Sequence, residues 1–432
     1  MNISHKKGLL ALSPVMVLLV IYLAGALLAG DFYKIPIGVA FVAAAIYAIA
    51  ITRGASLHER IKTFSQGAAD PNIMYMVWIF VLAGIFAESA KTMGAVDATV
   101  ELTLRFVPTN FLPAGIFIAA CFISISIGTS VGTIVAMTPV VTGLAEQMGC
   151  DTAWAVAIVV GGAFFGDNLS FISDTTIAAT QSQGCNMRDK FRTNLLIVLP
   201  AAVATLLIYL LTDIPSAGAV TANAAEWFRA LPYVVVIVCA LAGINVLGVL
   251  MIGIITTAII GFSCDSFTIV SFFTAAGDGM HSMLELILVT LLAGGLMNVV
   301  KSNGGFDYLI ALMTSRIGGK RTAEASIAAL TALTNFCTAN NTIAILTAGP
   351  IARDLASRFG VSPRKSASVM DTTSCFVQGI IPYGAQLLMA SGLAAISPLQ
   401  IIPHLYYPMG IGLMLILAIV FQFPCSKRSK KS

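Results

Sequence analysis

The chain has 432 residues, of which 58% are hydrophobic and only 10% are charged. A soluble domain carries roughly 25% charged residues, so this composition excludes a soluble enzyme or binding module and predicts a membrane protein. The formal net charge is only +4. The basic residues gather near the ends of apolar runs, which indicates orientation in a lipid bilayer and no nucleic-acid partner.

Apolar runs long enough to cross a membrane recur along the whole chain, because a hydrocarbon layer of about 30 Å needs about 20 residues of helix. In chain order the predicted spans are 9–29, 35–52, 73–90, 153–183 and 192–212, then 231–245, 246–263, 282–300, 366–396 and 400–424. Amphipathic stretches at 94–107 and 305–317 are expected to lie along the membrane surface. The prediction is an all-α polytopic membrane protein with about 10 transmembrane segments plus 2 hairpins.

The chain also contains an internal repeat. The stretch AGIFAESAKTMGAVD, which begins at Ala83, matches AGGLMNVVKSNGGFD, which begins at Ala293. With one inserted residue, SISIGTSVGTIVAMTP at 124–139 falls on TNFCTANNTIAILTAGP at 334–350. We therefore divide the chain into a first repeat, an external linker, a second repeat and a basic cytoplasmic tail, at 1–213, 214–230, 231–424 and 425–432.

The charges of equivalent loops predict that the two repeats are inverted. The 141–152 loop carries only Glu146 and Asp151 and is expected outside, whereas its counterpart at 351–365 is basic and is expected inside. Both chain ends are basic, which predicts cytoplasmic termini. Inverted repeats are typical of secondary transporters.

This topology requires a re-entrant hairpin in each repeat. The first is predicted at 111–148, broken at GTSVGT (128–133), and the second at 321–360, broken at TANNT (338–342). Each half then has three spans, a re-entrant hairpin, an interrupted span and a final span. Candidate polar residues at the second hairpin tip are Asn340, Asn341 and Thr342.

The most informative stretch is GGAFFGDNLSFISDTTIAAT at 161–180. Asp167 is expected where the helix from 153 ends, after glycines that loosen it, and Ser173-Asp174-Thr175-Thr176 are expected to cap a second half-helix. An ionised Asp at mid-membrane costs about 2.5–3.5 kcal/mol, so it needs a cation, a proton or a partner. Oxygen ligands of this kind suit a hard cation such as Na⁺. A role for Asp174 as a simple helix cap remains an alternative.

The corresponding stretch of the second repeat, DTTSCFVQGIIPYGAQ, begins at Asp371. Here Gln378 falls opposite Asp167, so the first half is expected to carry the charge and the second half mostly neutral polar groups. The eight cysteines and four histidines show no metal-ligand spacing, so we expect no cofactor, with Na⁺ and H⁺ as transported or coupling ions.

The segment GAFFGDNLSFISDTT closely resembles the G-D-x-x-S-P-x-S-D-T-T segment of the NhaC-type sodium/proton antiporter family, and GTSVGT resembles its Gly-Thr hairpin. That family belongs to the ion-transporter superfamily of inverted-repeat carriers. The resemblance implies a cation site formed or bordered by Thr129, Ser130, Gly132, Thr133, Asp167, Asn168, Ser173 and Asp174. Among these, Asp167, Asn168 and Ser130 are the expected Na⁺ ligands. The resemblance also implies a bacterial inner membrane and a carrier layout in which homodimers are common.

The sequence departs from the family pattern at three places, and the changed second half leaves the transported species open. Phe171 stands where the family usually has Pro, and the second half differs at IIPYGAQ and at the Asn340-Asn341 tip. Our first hypothesis is a secondary transporter that exchanges cytoplasmic Na⁺ for external H⁺ on Asp167. The second is a Na⁺- or H⁺-coupled carrier of a small organic anion or amino acid, with Tyr383 and Gln386 facing the solute.

A third hypothesis, an intramembrane aspartyl enzyme, would need Asp167 and Asp174 to share a proton. Seven residues of continuous helix separate two groups by about 10 Å, and no protease or transferase motif surrounds them. We therefore predict a transporter and not an enzyme.

Overall fold

The computed structural model describes residues 5–29, 37–106, 108–171, 173–212, 227–308 and 318–424. Within these residues the regular structure is entirely helical, which confirms the predicted fold class. The predicted tail at 425–432 lies outside the described residues, as do most of the 214–230 linker and most of the amphipathic stretch at 305–317.

In the first half of the chain the described residues form ten α-helices. They are His5–Ala29, Ile37–Ile51, Leu57–Ala68, Pro71–Met93, Ala95–Phe106, Leu112–Ile127, Ser130–Met148, Thr152–Leu169, Asp174–Gln183 and Met187–Leu211. In the second half the described α-helices are Leu231–Leu241, Val246–Ser263, Ile269–Ser282, Leu284–Ser302, Lys320–Thr338, Asn341–Arg358, Pro363–Ile380, Ala385–Ala394, Pro398–Ile401 and Tyr406–Val420. The predicted division of 231–263 into two segments agrees with the helix end at Leu241 and the next start at Val246.

Six of the described helical stretches are long and apolar enough to cross a membrane, or seven if one strongly bent pair counts as a span. Three shorter apolar helices accompany them. The chain is thus a multi-pass membrane protein, whereas the count of ten spans and the inverted orientation of the repeats stay predictions.

Two short amphipathic helices were not predicted from the sequence. They are Leu57–Ala68 and Ile269–Ser282, and each begins with a capping box, formed by Ser56 with Glu59 and by Thr268 with Ser271. The first packs on Leu284–Ser302 and the second on Pro71–Met93, so each contacts a helix of the opposite half. The Ser56-x-x-Glu59 pattern was a sequence signal for the first helix, whereas Thr268 and Ser271 lack the Glu or Gln of that pattern.

Four helix pairs build the centre of the protein. We call Leu112–Ile127 with Ser130–Met148 the first hairpin, and Lys320–Thr338 with Asn341–Arg358 the second hairpin. The first broken helix is Thr152–Leu169 with Asp174–Gln183, and the second broken helix is Pro363–Ile380 with Ala385–Ala394. The long segments of both broken helices are buried at most positions, as expected for helices surrounded by protein instead of lipid.

The halves interlock through these pairs. Asp174–Gln183 of the first broken helix packs on the second hairpin, and Ala385–Ala394 of the second broken helix packs on the first hairpin. Both hairpin breaks lie in the predicted tips, at Gly128-Thr129 and at Ala339-Asn340. Through these contacts the two hairpin tips and the break in the first broken helix lie next to one another.

The first break differs from the prediction. The helix from Thr152 continues through Asp167 and ends at Leu169, where Ser170 is extended, and the next half-helix begins at Asp174 after the extended Ser173. The glycines before Asp167 do not loosen this helix. They let the first hairpin approach closely, since Gly166 packs directly against Ser124 and leaves no room for a Cβ atom.

Candidate functional site

A cavity of about 370 Å³ lies where the two hairpin tips meet the first broken helix. Its polar lining comes from both halves of the chain. The first half contributes Tyr75, Thr129, Ser130, Asp167, Asp174 and Thr175, and the second half contributes Asn245, Asn340, Asn341, Thr342 and Gln386. The structure therefore brings together most of the polar residues that the sequence analysis selected.

Asp167 is the buried carboxylate of this cavity, with 4% of its surface exposed. Its Oδ1 accepts a hydrogen bond from the Ser130 backbone N–H at 3.0 Å, and its Oδ2 accepts one from Ser130 Oγ at 2.5 Å. Ser130 is the first residue of the helix Ser130–Met148, so the carboxylate lies at the positive end of a helix dipole. Asp167 thus holds the first hairpin tip against the first broken helix.

The break itself is organised by two hydroxyl side chains. Ser173 Oγ accepts a hydrogen bond from the Thr176 backbone N–H at 3.3 Å and donates one to the Asp167 carbonyl at 2.9 Å. Thr175 Oγ1 also donates to the Asp167 carbonyl, at 3.3 Å. These bonds satisfy backbone groups that the break leaves open at the end of the first half-helix.

The helix cap is therefore Ser173 and not Asp174. Asp174 is the first residue inside the half-helix, and its side chain is exposed and lines the cavity. The simple-cap interpretation of Asp174 is wrong, because the hydroxyl of the preceding residue already accepts the bond from the first turn. A carboxylate in the first turn still interacts favourably with the helix dipole.

In the second half, Gln378 occupies the position equivalent to Asp167 and holds its own hairpin tip. Its Nε2 donates to the Ala339 carbonyl and to Gln386 Oε1, both at 2.9 Å. Gln386 Nε2 in turn donates to Ser130 Oγ at 3.0 Å. A chain of hydrogen bonds thus connects the second tip to the Asp167 carboxylate through two buried amides.

Several predicted residues do not line the cavity: Gly132, Thr133, Asn168, Ser173 and Gln378. Thr133 Oγ1 donates to the Thr129 carbonyl at 3.2 Å within its own helix. Asn168 Nδ2 donates to the Phe164 carbonyl and to Tyr407 Oη, because one residue along a helix rotates the side chain by about 100° from Asp167. The expected Na⁺ ligand set is thus divided, with Ser130 and Asp167 at the cavity and the Asn168 side chain away from it.

Of the two residues expected to face an organic solute, only Gln386 lines the cavity. Tyr383 is buried against Phe41, and its hydroxyl donates to the Phe336 carbonyl at 2.8 Å. The polar side chains that the second half contributes to the cavity are therefore amides and a threonine hydroxyl.

A buried ion pair next to the site was missed by the sequence analysis. Lys190 Nζ lies 2.8 Å from Asp371 Oδ2, and both side chains are essentially inaccessible. Lys190 stands between Arg188 and Arg192, a cluster of basic residues that is typical of a cytoplasmic loop and hides the buried lysine in the sequence. Asp371 is thus a buried carboxylate of the second half that lies outside the cavity lining, where the polar residues of the second half are neutral.

Comparisons with known proteins were made on the whole chain. The sequence model of the Na⁺/H⁺ antiporter family matches residues 7–214 and 217–423. The Na⁺/H⁺ antiporter NhaC of Alkalihalophilus pseudofirmus is 22% identical over 77% of this chain and 78% of its own. The malate-2H⁺/Na⁺-lactate antiporter of Bacillus subtilis is 21% identical over 95% of both chains. The solved structure of the Alcanivorax borkumensis YdaH transporter aligns with 84% of this chain and 88% of its own, with a TM-score of 0.41 and 14% identity.

Proposed function

Because the chain belongs to the Na⁺/H⁺ antiporter family, we propose that it exchanges cytoplasmic Na⁺ for external H⁺ with Asp167 as the shared carboxylate. The observation that carries this proposal is the position of Asp167, a buried carboxyl group in direct contact with a hairpin tip at the cavity. A carboxylate in such a place binds either a proton or a metal cation, so the two compete for it.

The groups around Asp167 suit both cargoes. Na⁺ prefers oxygen ligands, and the cavity offers the Asp167 carboxylate, the Ser130 hydroxyl and the polar side chains of the second tip. Ser130 donates two hydrogen bonds to the carboxylate, and a bound cation would need the hydroxyl to turn its lone pairs toward it. Cation binding is in this way coupled to the contact between the first hairpin tip and the first broken helix.

Asp174 gives the cavity a second carboxylate, which is exposed. It attracts cations toward Asp167 without being buried itself. We place the protein in the bacterial inner membrane with both termini in the cytoplasm, and we expect a homodimer.

A second candidate function is supported by the size and lining of the cavity. A volume of about 370 Å³ is about ten times the space of one water molecule and falls in the range of small-molecule pockets. Four residues with amide side chains, Asn245, Asn340, Asn341 and Gln386, line this space beside the carboxylates. A carrier that couples Na⁺ or H⁺ to a small organic anion or amino acid would use these groups to bind its solute, and one relative exchanges malate and lactate by name.

Ion flux in vesicles tests the proposal. Purified protein is reconstituted into liposomes with a pH gradient, and the change in internal pH is measured when Na⁺ is added. We expect Asp167→Asn to abolish exchange and to retain the fold, since the amide keeps the size and hydrogen-bonding capacity of the side chain without the charge. Glu146→Gln, an exposed carboxylate outside the cavity, is the matched control and is expected to transport normally.

The outcomes separate the two candidates. Wild-type exchange by Asp167→Asn would refute the assigned role of this carboxylate. Collapse of the gradient by Na⁺ alone supports Na⁺/H⁺ exchange, whereas a strict requirement for malate, lactate or an amino acid supports the coupled carrier.

A further inference from the structure

Lys190 is a buried lysine whose ammonium group lies among three oxygen atoms. Its Nζ lies 2.8 Å from Asp371 Oδ2, 2.9 Å from the Asn168 carbonyl and 2.8 Å from Thr176 Oγ1. An ammonium group has three N–H donors, and these three oxygens accept all of them. Lys190 starts in the first turn of Met187–Leu211 and reaches toward the protein interior, whereas lysines near helix ends usually extend toward water.

The three oxygens have the chemistry of a Na⁺ site. The carbonyl of Asn168 belongs to the last turn of the half-helix Thr152–Leu169, which carries the partial negative charge of a helix carboxyl end. A hydroxyl and a carboxylate complete a set of hard oxygen ligands. Carbonyls at the ends of discontinuous helices are groups that coordinate Na⁺ in membrane carriers.

The oxygens are held in place by other residues as well as by the lysine. Asn194 Nδ2 donates to the Asn168 carbonyl at 2.7 Å and to Asp371 Oδ2 at 3.1 Å. Asn194 Oδ1 accepts hydrogen bonds from Ser368 and Thr372, at 2.7 and 2.8 Å. The arrangement therefore does not depend on the ammonium alone.

We propose that the Lys190 ammonium is a tethered cation that fills a Na⁺-type site formed by Asp371, the Asn168 carbonyl and Thr176. The fixed charge joins the first half, through Lys190, to the second half, through Asp371. It neutralises the Asp371 carboxylate permanently, which leaves that carboxylate unable to exchange ions. Removal of the lysine side chain should uncover a site that binds Na⁺. This inference does not depend on the role proposed for Asp167.

The test measures Na⁺ binding in a background that lacks the Asp167 carboxylate. Purified Asp167→Asn and Asp167→Asn/Lys190→Ala proteins are heated in NaCl and in choline chloride at equal ionic strength and pH, and Tm is recorded. We expect the double variant to have a Tm at least about 2 °C higher in NaCl than in choline chloride. The single variant should show a smaller difference, and adding Asp371→Asn to the double variant should remove the gain.

Lys365→Ala in the same background is a matched control. Lys365 is also buried in the first turn of a helix, but its Nζ donates to the backbone carbonyls of Ala418 and Phe423. Its loss should lower Tm equally in both salts, because no carboxylate accepts these bonds.

A Lys190→Ala effect that is equal in the two salts, as for the Lys365 control, would refute the proposal and leave an ordinary structural ion pair. Recovery of folded double variant from NaCl but not from choline chloride would support it. Failure of folding in both salts would refute it if the variant that also carries Asp371→Asn folds in both, because Na⁺ then cannot replace the ammonium.

Discussion

Substitution of Ser173 by alanine tests the assignment of the helix cap in the first broken helix. The change removes a hydroxyl that bonds two backbone groups and the Thr175 hydroxyl, and it leaves the volume of the residue almost unchanged. It eliminates the acceptor of the Thr176 N–H and the donor to the Asp167 carbonyl. Both groups belong to the backbone of the break, where the helix supplies no backbone partner for them.

The expected loss of stability follows from the two hydrogen bonds to the backbone. Loss of a serine N-cap typically costs about 1 kcal/mol. Loss of the bond to the Asp167 carbonyl adds about 0.5–1.5 kcal/mol, at the lower end because Thr175 Oγ1 donates to the same oxygen. We expect Ser173→Ala to reduce the free energy of unfolding by about 1.5 kcal/mol.

Thermal unfolding in detergent measures this loss, with Asp174→Asn and Asp174→Ala as neighbouring controls. For a chain of 432 residues, a loss of that size lowers Tm by about 2 °C. Both Asp174 variants should unfold close to the wild type, since this side chain is exposed in the cavity and does not cap the helix. In the vesicle assay, however, Asp174→Asn should raise the Na⁺ concentration for half-maximal exchange, because the attraction of cations to the cavity is weakened.

The opposite pattern would contradict the assignment. If Asp174→Ala lowered Tm by about 2 °C and Ser173→Ala had no effect, Asp174 would be the cap after all.

Two further predictions concern packing and topology. A Cβ at Gly162 would lie 2.5 Å from Ala120 Cβ and 2.8 Å from the Phe117 carbonyl, so Gly162→Ala should cost about 1–3 kcal/mol of stability, as thermal unfolding will show. Gly115→Ala, with no atom within 4 Å of its new Cβ, is the control and should be tolerated. In a background without other cysteines, Cys150 should react with an impermeant thiol reagent from outside, whereas Ser362→Cys should react only from the cytoplasm. Labelling of both positions from one face would contradict the inverted repeats.

Much of the fold was predictable because the bilayer limits the choices. Few charges and long apolar runs permit little other than membrane-spanning helices, and the observed helices agree with this. Breaks in such helices need polar groups, so the GTSVGT and TANNT stretches predicted where both hairpins are interrupted, and the helix ends lie within them. The same physical constraint made Asp167 conspicuous, since a charge among apolar residues is costly.

Local details of the site were less predictable, because they depend on competition among neighbouring side chains. Ser173 and Asp174 are both good N-cap residues, and the sequence does not say which of them caps the half-helix. Gly162 and Gly166 look like helix breakers, but in the folded chain they provide space for the first hairpin. The helix therefore continues past Asp167, and its rotation directs Asn168 to Tyr407.

The amino-acid sequence by itself determined that the chain lies in a membrane and is helical. It also determined the hairpin tips and the candidate carboxylate, because all of these depend on composition and local spacing. Only the tertiary structure decided that Lys190 meets Asp371, since 181 positions separate them in the sequence and nothing local relates their charges. It likewise decided that Gln386 connects the second hairpin tip to Ser130 and Asp167. Contacts between the two halves arise from the interlocking of complete helices, and a buried charge finds its partner only when that packing exists.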